Sequence, residues 1–224
     1  MSLPGALVLD FDGLILDTES CTYDAVVDIF RDHGLELDLA RWQAILGTAD
    51  RPHWTVWLVE ELGRPVDRVT LVARREKARM AALVTLPPCA GVEDLLAAAA
   101  DAGVPCAVAS SSSAEWVVPH LGRLGLRDRF AAVVTSDDVG GDPRRTKPAP
   151  DLFIAAAMAV GQPPARCVVL EDSPNGVKAG KAAGMAVVAV PGPMTAGLDF
   201  AGADLVVPSL LGLDLRHLGA FVTG

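Results

Sequence analysis

Short, nearly unbroken apolar runs recur along the 224-residue chain, at ALVL (6–9), PCAVA (105–109), AAVV (131–134), CVVL (167–170) and AVVAV (186–190), each bounded by Gly, Pro or charge. Runs of this length without polar alternation suit strands of a parallel sheet buried on both faces. Between the later runs the apolar positions recur every three to four residues. GVEDLLAAAADAG, AEWVVPHLGRLG, PDLFIAAAMAVG and PNGVKAGKAAG therefore read as helices that stop near glycine, two of them opening at proline. Strand and helix alternating at this spacing predict right-handed βαβ units and a doubly wound α/β fold.

One interval breaks the rhythm. The first strand ends near residue 12 and the next begins near 104, whereas a crossover needs only about a dozen residues. From Thr18 to Val84 the chain keeps helical periodicity in YDAVVDIFRDHG, LARWQAILG, WTVWLVEELG and DRVTLVARREKARMAALV, then returns through the proline-punctuated TLPPCAG. The pattern predicts an α/β core of residues 1–16 and 87–224, with an all-helical cap inserted at 17–86. Trp42, Trp54 and Trp57 are expected in the cap's own core.

Composition narrows the partners. The chain is 51% hydrophobic but only 5% aromatic, so Ala, Val and Leu carry the packing, and the net charge of −9 repels nucleic acid and anionic membrane surfaces. No stretch reaches the roughly 18 apolar residues of a membrane span, and the N-terminus shows no secretory pattern. A cytoplasmic protein is expected. Cys21, Cys89, Cys106 and Cys167 lack C-x-x-C spacing and read as small buried hydrophobes rather than metal ligands or disulfides.

In doubly wound sheets, ligands bind beyond the carboxyl ends of the strands. Those ends concentrate polar chemistry here. The first runs into VLDFDGLILDTES, whose Asp10 and Asp12 lie two residues apart and, on a strand, point the same way. Like charges that close repel, so a cation or a chemical task must make the pair tolerable. CAVASSSS ends in Ser110 and Ser111, TSDDVGGDPRRTKPAPD carries Lys147, and CVVLEDSPNG ends in Glu171 and Asp172. Blander roles suit the neighbours: Asp17 and Thr18 start a helix, Ser112 and Ser113 form a loop and N-cap, and Arg144 and Arg145 are a solvated basic run.

This ordered set resembles the four motifs of the haloacid dehalogenase superfamily: D-x-D-G-x-x-x-D-T-E at 10–19, a strand ending in Ser110, K-P-x-P-D at 147–151 and E-D-S-x-x-G at 171–176. The inserted helices resemble the cap of its β-phosphoglucomutase-like branch. The resemblance implies that Asp10 and Asp172 bind Mg²⁺ through carboxylates and Asp12 through its main-chain carbonyl, with Glu171 supporting the metal's water shell or orienting Lys147. It further implies that Asp10 attacks phosphorus, Asp12 transfers protons, and Lys147 with Ser110 stabilises the phosphoryl oxygens. Gly13 is expected to permit the turn after the strand, with backbone N–H groups near Phe11 and Ser111 contacting phosphate; Ser111 is a substrate-binding candidate.

The expected reaction is hydrolysis of a small phosphorylated metabolite, such as a sugar phosphate. Dehalogenation is disfavoured because Asp12 is present, and mutase activity because the histidine that β-phosphoglucomutases carry ten residues beyond the second aspartate is Thr22 here. A non-catalytic sugar-phosphate-binding module is a further alternative, opposed by the filled motif positions. Specificity is expected from the cap, with Arg51 or His53 of the loop LGTADRPHW contacting substrate. A cap of this size can close its own subunit's site, so a monomer is expected.

Overall fold

The computed structural model describes residues 3–44, 46 and 53–222. Six strands form one parallel sheet: β1 (Ala6–Leu9), β2 (Cys106–Ala109), β3 (Ala132–Val134), β4 (Cys167–Glu171), β5 (Ala186–Ala189) and β6 (Leu205–Val206). Their spatial order is β3-β2-β1-β4-β5-β6. The crossovers after β1 and β4 therefore run in opposite directions, and the switch point lies beside β1, where such sheets open a crevice. Leu9 of β1 registers with Val108 on one side and Leu170 on the other, so the residues after these three strands emerge together. The sixth strand was not foreseen: it is two residues long and half-exposed, too short and too polar in its surroundings to stand out as a run.

Between the strands run α5 (Val92–Asp101), α6 (Ala114–Arg123), α7 (Asp151–Ala159) and α8 (Pro174–Ala182), with α9 (Leu215–Leu218) near the end. Alternate residues of β1 feed opposite faces of the sheet. Leu7 and Leu9 join Leu95, Leu96 and Leu121 on one face, whereas Ala6 and Val8 join Phe153, Ala156 and Val177 on the other. Every residue of β1, β2, β4 and β5 is buried, which is why these strands read as unbroken apolar runs.

Among the described residues, the chain between β1 and α5 forms α1 (Thr18–Asp32), α2 (Leu39–Gln43), α3 (Trp54–Leu62) and α4 (Arg68–Thr85). Asp17, Asp38 and Asp67 start α1, α2 and α4 by accepting from Ser20 N, Ala40 N and Thr70 N, each satisfying an otherwise orphaned amide. Val26, Phe30, Trp42, Trp54, Trp57 and Leu58 make a separate hydrophobic cluster, as the tryptophan pattern predicts. Among the described residues no helix is long and apolar enough to cross a membrane.

Leu7 is fully buried at the centre of the sheet. Truncation there leaves a cavity that packed strands cannot close, so Leu7→Ala is expected to lower stability by about 2–5 kcal/mol, read as a lower urea midpoint.

Candidate active site

β1 stops at Leu9, and Asp10 is the first residue beyond it, tied in by donation from its N–H to Leu170 O at 3.0 Å. The chain then turns: Ile15 N and Leu16 N both donate to Phe11 O, at 3.0 and 3.2 Å. Gly13 is required at the bend. Its φ is +88°, and a Cβ there would stand 2.0 Å from Asp172 Oδ2. Ser110 emerges from β2, Asp172 follows β4, and Lys147 arrives on the loop before α7, so four strand ends and loops meet in one place.

Asp10, Glu171 and Asp172 are buried, and one carboxylate oxygen from each lies within 4.8 Å of the others. A single ammonium, that of Lys147, enters the group; it bonds Asp10 Oδ1 and, at 2.7 Å, Glu171 Oε1. Lys147 Nζ lies over the ring of Phe153, on α7, 4.9 Å from its centroid. Glu171 is fully buried and accepts at Oε2 from Ser173 N at 2.8 Å and Ser173 Oγ at 3.0 Å. It lies against the first turn of α8, where a Cβ on residue 176 would come within 1.8 Å of its carboxyl carbon; glycine is the residue that fits.

Three buried carboxylates against one ammonium are a poor arrangement by themselves. Burial, outweighing the attraction of Lys147 and aided by Glu171 and Asp12, pushes Asp10 from its ordinary 3.8 up to about 7. Burial together with Glu171, Asp10 and Glu19 holds Asp172 well above the ordinary carboxylate range. Burial works against the Lys147 charge, yet Asp10 and Glu171 outweigh it and raise this ammonium above its usual range. Hard oxygen donors, crowded and short of positive charge, suit a divalent cation of the Mg²⁺ type. The residues present fit the group.

Asp12 is arranged differently. Period-two alternation would aim it alongside Asp10, but the strand has already ended, and its carboxylate turns to three neutral donors. Thr18 Oγ1 at 2.8 Å and Trp116 Nε1 at 2.8 Å donate to Oδ1, and Ser112 Oγ at 2.7 Å donates to Oδ2. Both aspartates line the same cavity of about 620 Å³ without sharing partners. Asp17 caps α1, Thr18 opens it and Ser112 lies in the loop before α6, as expected; Thr18 and Ser112 in addition hold Asp12. Glu171, expected to support the metal's water shell or orient Lys147, bonds Lys147 at 2.7 Å and lies among the buried carboxylates.

Ser110 Oγ accepts from Ser112 N at 3.0 Å, leaving its own hydrogen to point elsewhere, and Ser111 Oγ accepts from Lys147 N at 3.3 Å. Both serines line the cavity. Arg144 and Arg145 pair with Asp142 and Asp151 on the surface, as a solvated run should. His53 serves as N-cap of α3, its Nδ1 accepting from Thr55 N at 3.3 Å, and is not among the residues that line the cavity. Arg51 lies outside the described residues.

Trp116, Arg75 and Arg79 also line the cavity, and sequence reasoning passed over all three. Trp116 stands in the first turn of a helix that opens directly after the serine run, a position from which a large donor side chain reaches the strand ends. The arginines were signalled by spacing, since Leu71, Arg75, Arg79 and Leu83 fall four apart on one helix stripe.

The family model described as haloacid dehalogenase-like hydrolase matches residues 4–184. The Bacillus subtilis (strain 168) protein YhcW is 40% identical over 216 residues, covering 95% of each chain. The fructose-1-phosphate phosphatase YqaB of Escherichia coli (strain K12) is 33% identical over 187 residues, covering 82% of this chain and 95% of its own. Among solved structures, a HAD family hydrolase from Deinococcus radiodurans R1 with bound phosphate and sodium superposes with a TM-score of 0.78 at 28% identity, covering 99% of both chains.

A carboxyl group whose folded-state pKa is raised favours folding while protonated and loses that contribution as pH rises through the raised value. In chelator, stability is therefore expected to decline from about pH 4 through about pH 7, the interval spanned by Asp10. Asp172→Asn, which removes one of the repelling charges, should melt above wild type at pH 8 in chelator. Added MgCl₂ should raise the wild-type Tm and leave the variant nearly unmoved; scanning calorimetry reads both.

Proposed function

The chain belongs to the haloacid dehalogenase-like hydrolases and is a phosphoric monoester hydrolase of that family, and we propose that Asp10 is its nucleophile in a Mg²⁺-dependent hydrolysis of a small sugar or polyol phosphate. The observation that carries this reading is the position of Asp10, first residue beyond the central strand, held by Lys147 beside Glu171 and Asp172 while Asp12 faces the same cavity.

Mg²⁺, held by the Asp10 and Asp172 carboxylates and the Asp12 main-chain carbonyl, would neutralise charge shared by phosphate and carboxylate and so let the two approach. Lys147 works against burial by favouring the ionised form of Asp10, and it offers a second positive contact to the transferring group. The Ser110 hydroxyl, whose oxygen already accepts from Ser112 N, donates its hydrogen to a phosphoryl oxygen. Asp10 forms the bond to phosphorus as the bond to the leaving oxygen breaks, and Asp12 gives that oxygen its proton.

The hydrogen bonds around Asp12 indicate which of its oxygens carries the proton. Oδ1 takes Trp116 Nε1–H, a donor that cannot reverse, together with Thr18, so it remains an acceptor. Among the described residues, Oδ2 accepts from the Ser112 hydroxyl alone, which can turn. Oδ2 is therefore the oxygen placed to carry the proton that Asp12 transfers. Once the leaving group has departed, the same oxygen takes a proton from the water that cleaves the aspartyl-phosphate, restoring both aspartates.

Residues 17–86 act as a cap that closes over the core and excludes bulk water during transfer. Water rather than a second sugar hydroxyl is the acceptor, because Thr22 donates back to Thr18 O at 2.8 Å and no histidine lines the cavity among the described residues. The fructose-1-phosphate phosphatase among the relatives supports a sugar-phosphate substrate.

Phosphate release from p-nitrophenyl phosphate and a sugar-phosphate panel tests the reading. Wild type should require Mg²⁺, and Asp10→Asn should lose at least about 10³-fold in kcat. Equal rates for both proteins would overturn the assignment of Asp10, and undiminished turnover in excess chelator would overturn the metal requirement. Efficient isomerisation of β-glucose 1-phosphate would replace hydrolysis with mutase chemistry.

A further inference from the structure

The stretch of chain that opens α6 serves both oxygens of the Asp12 carboxylate. Ser112 Oγ donates to Oδ2 at 2.7 Å, and Trp116 Nε1 donates to Oδ1 at 2.8 Å. The stretch is itself held in place: Ser112 N donates to Ser110 Oγ at 3.0 Å, Ser136 N to Ser112 O at 3.0 Å and Trp116 N to Ser113 O at 3.1 Å. A serine hydroxyl rotates, whereas an indole N–H is rigid with its ring and can only donate. Where the ring sits therefore decides where Oδ1 sits.

Two elements clamp that ring. The Arg79 guanidinium of α4 lies over it, with Cζ 4.2 Å from the ring centroid, and Arg79 is in turn tied to Glu76 at 2.7 Å. From within α6, the His120 ring meets the indole edge-on, with centroids 4.4 Å apart. His120 is buried, and burial together with Arg123 holds it below its ordinary 6.5, so at neutral pH it is an uncharged wall rather than a second cation.

We propose that Trp116 is a positioning residue of the reaction: its N–H fixes Oδ1 as an acceptor, which aims Oδ2 at the leaving oxygen, and its stack under Arg79 ties that aim to the seating of α4. This rests on the phosphatase reading above and assigns a device to its proton transfer. A misaimed acid slows departure of a basic leaving oxygen but hardly affects one that departs as a stable anion. A ring that only packed the site would not make that distinction.

Phenyl phosphate and 2,4-dinitrophenyl phosphate differ in this need for a proton. With Mg²⁺ present, kcat/KM for each covers the steps up to release of the leaving group and leaves out the later attack of water. Trp116→Phe keeps a ring and removes the N–H. It is expected to lower kcat/KM about 10- to 100-fold for phenyl phosphate and at most about threefold for the dinitrophenyl ester. Asp12→Asn should show the same selectivity more strongly, and Arg79→Ala more weakly. Equal losses on both esters, the sign of packing alone, or no loss on either would overturn the assignment of Trp116; an unchanged ratio in Arg79→Ala would overturn the link to α4. The indole N–H groups, of which the chain has four, provide a readout that needs no variant of Trp116. One of their NMR signals should move upfield in Asp12→Ala, and four unmoved signals would also overturn the assignment. Wild type that hydrolyses neither ester would sink the phosphatase reading and this role with it, whereas wild type that hydrolyses both, with Trp116→Phe matching it, would sink the role and leave the phosphatase.

Discussion

Three carboxylates are buried within 4.8 Å of one another with a single ammonium between them. Their arrangement is costly, because burial and mutual repulsion oppose their ionisation together. Much of the surrounding chain serves to keep them there. Glycine at 13 lets the turn pass Asp172, glycine at 176 lets Glu171 lie on α8, and Ser173 donates twice to Glu171 Oε2, the oxygen of that carboxylate that Lys147 does not reach. The sheet supplies rigidity: Asp10, Ser110 and Glu171 stand at the ends of three adjacent strands whose backbones are fixed by the parallel ladder.

Asp12 escapes that crowd. Its partners are two hydroxyls and an indole, all uncharged, although its own charge still reaches Asp10 and helps to raise it. The difference between two aspartates separated by one residue is thus made by what comes to meet them. Trp116 has a further consequence, since its ring lies under Arg79 of α4. The inserted helices are thereby in contact with the group that holds Asp12, and a shift of α4 would be felt at that carboxylate.

The alternation of apolar runs with helical periodicity was enough to read the sheet, its parallel sense and the inserted helices, because strands buried on both faces leave no polar positions to confuse the pattern. Asp10, Asp12, Ser110, Lys147 and Asp172 were legible because each lies shortly after a strand or shortly before a helix, and their order matches a known set of motifs. The two-residue β6 was not legible, having too few residues to show a period. Trp116, Arg75 and Arg79 were missed for another reason. Each sits on a helix whose periodicity marks an inward face but does not reveal whether that face meets a hydrophobic core or a water-filled cavity.

Local preference thus decided the elements and the acids placed at their ends, since hydrophobic period, capping aspartates and turn glycines act over a few residues. Which acids share a cation, which turn away to neutral donors, and which arginines look into the site were decided only when strands distant in the chain came side by side. Coulomb interaction, desolvation and hydrogen bonding depend on separation in space, and the sequence distances involved, 137 residues between Asp10 and Lys147 and 104 between Asp12 and Trp116, carry no trace of it.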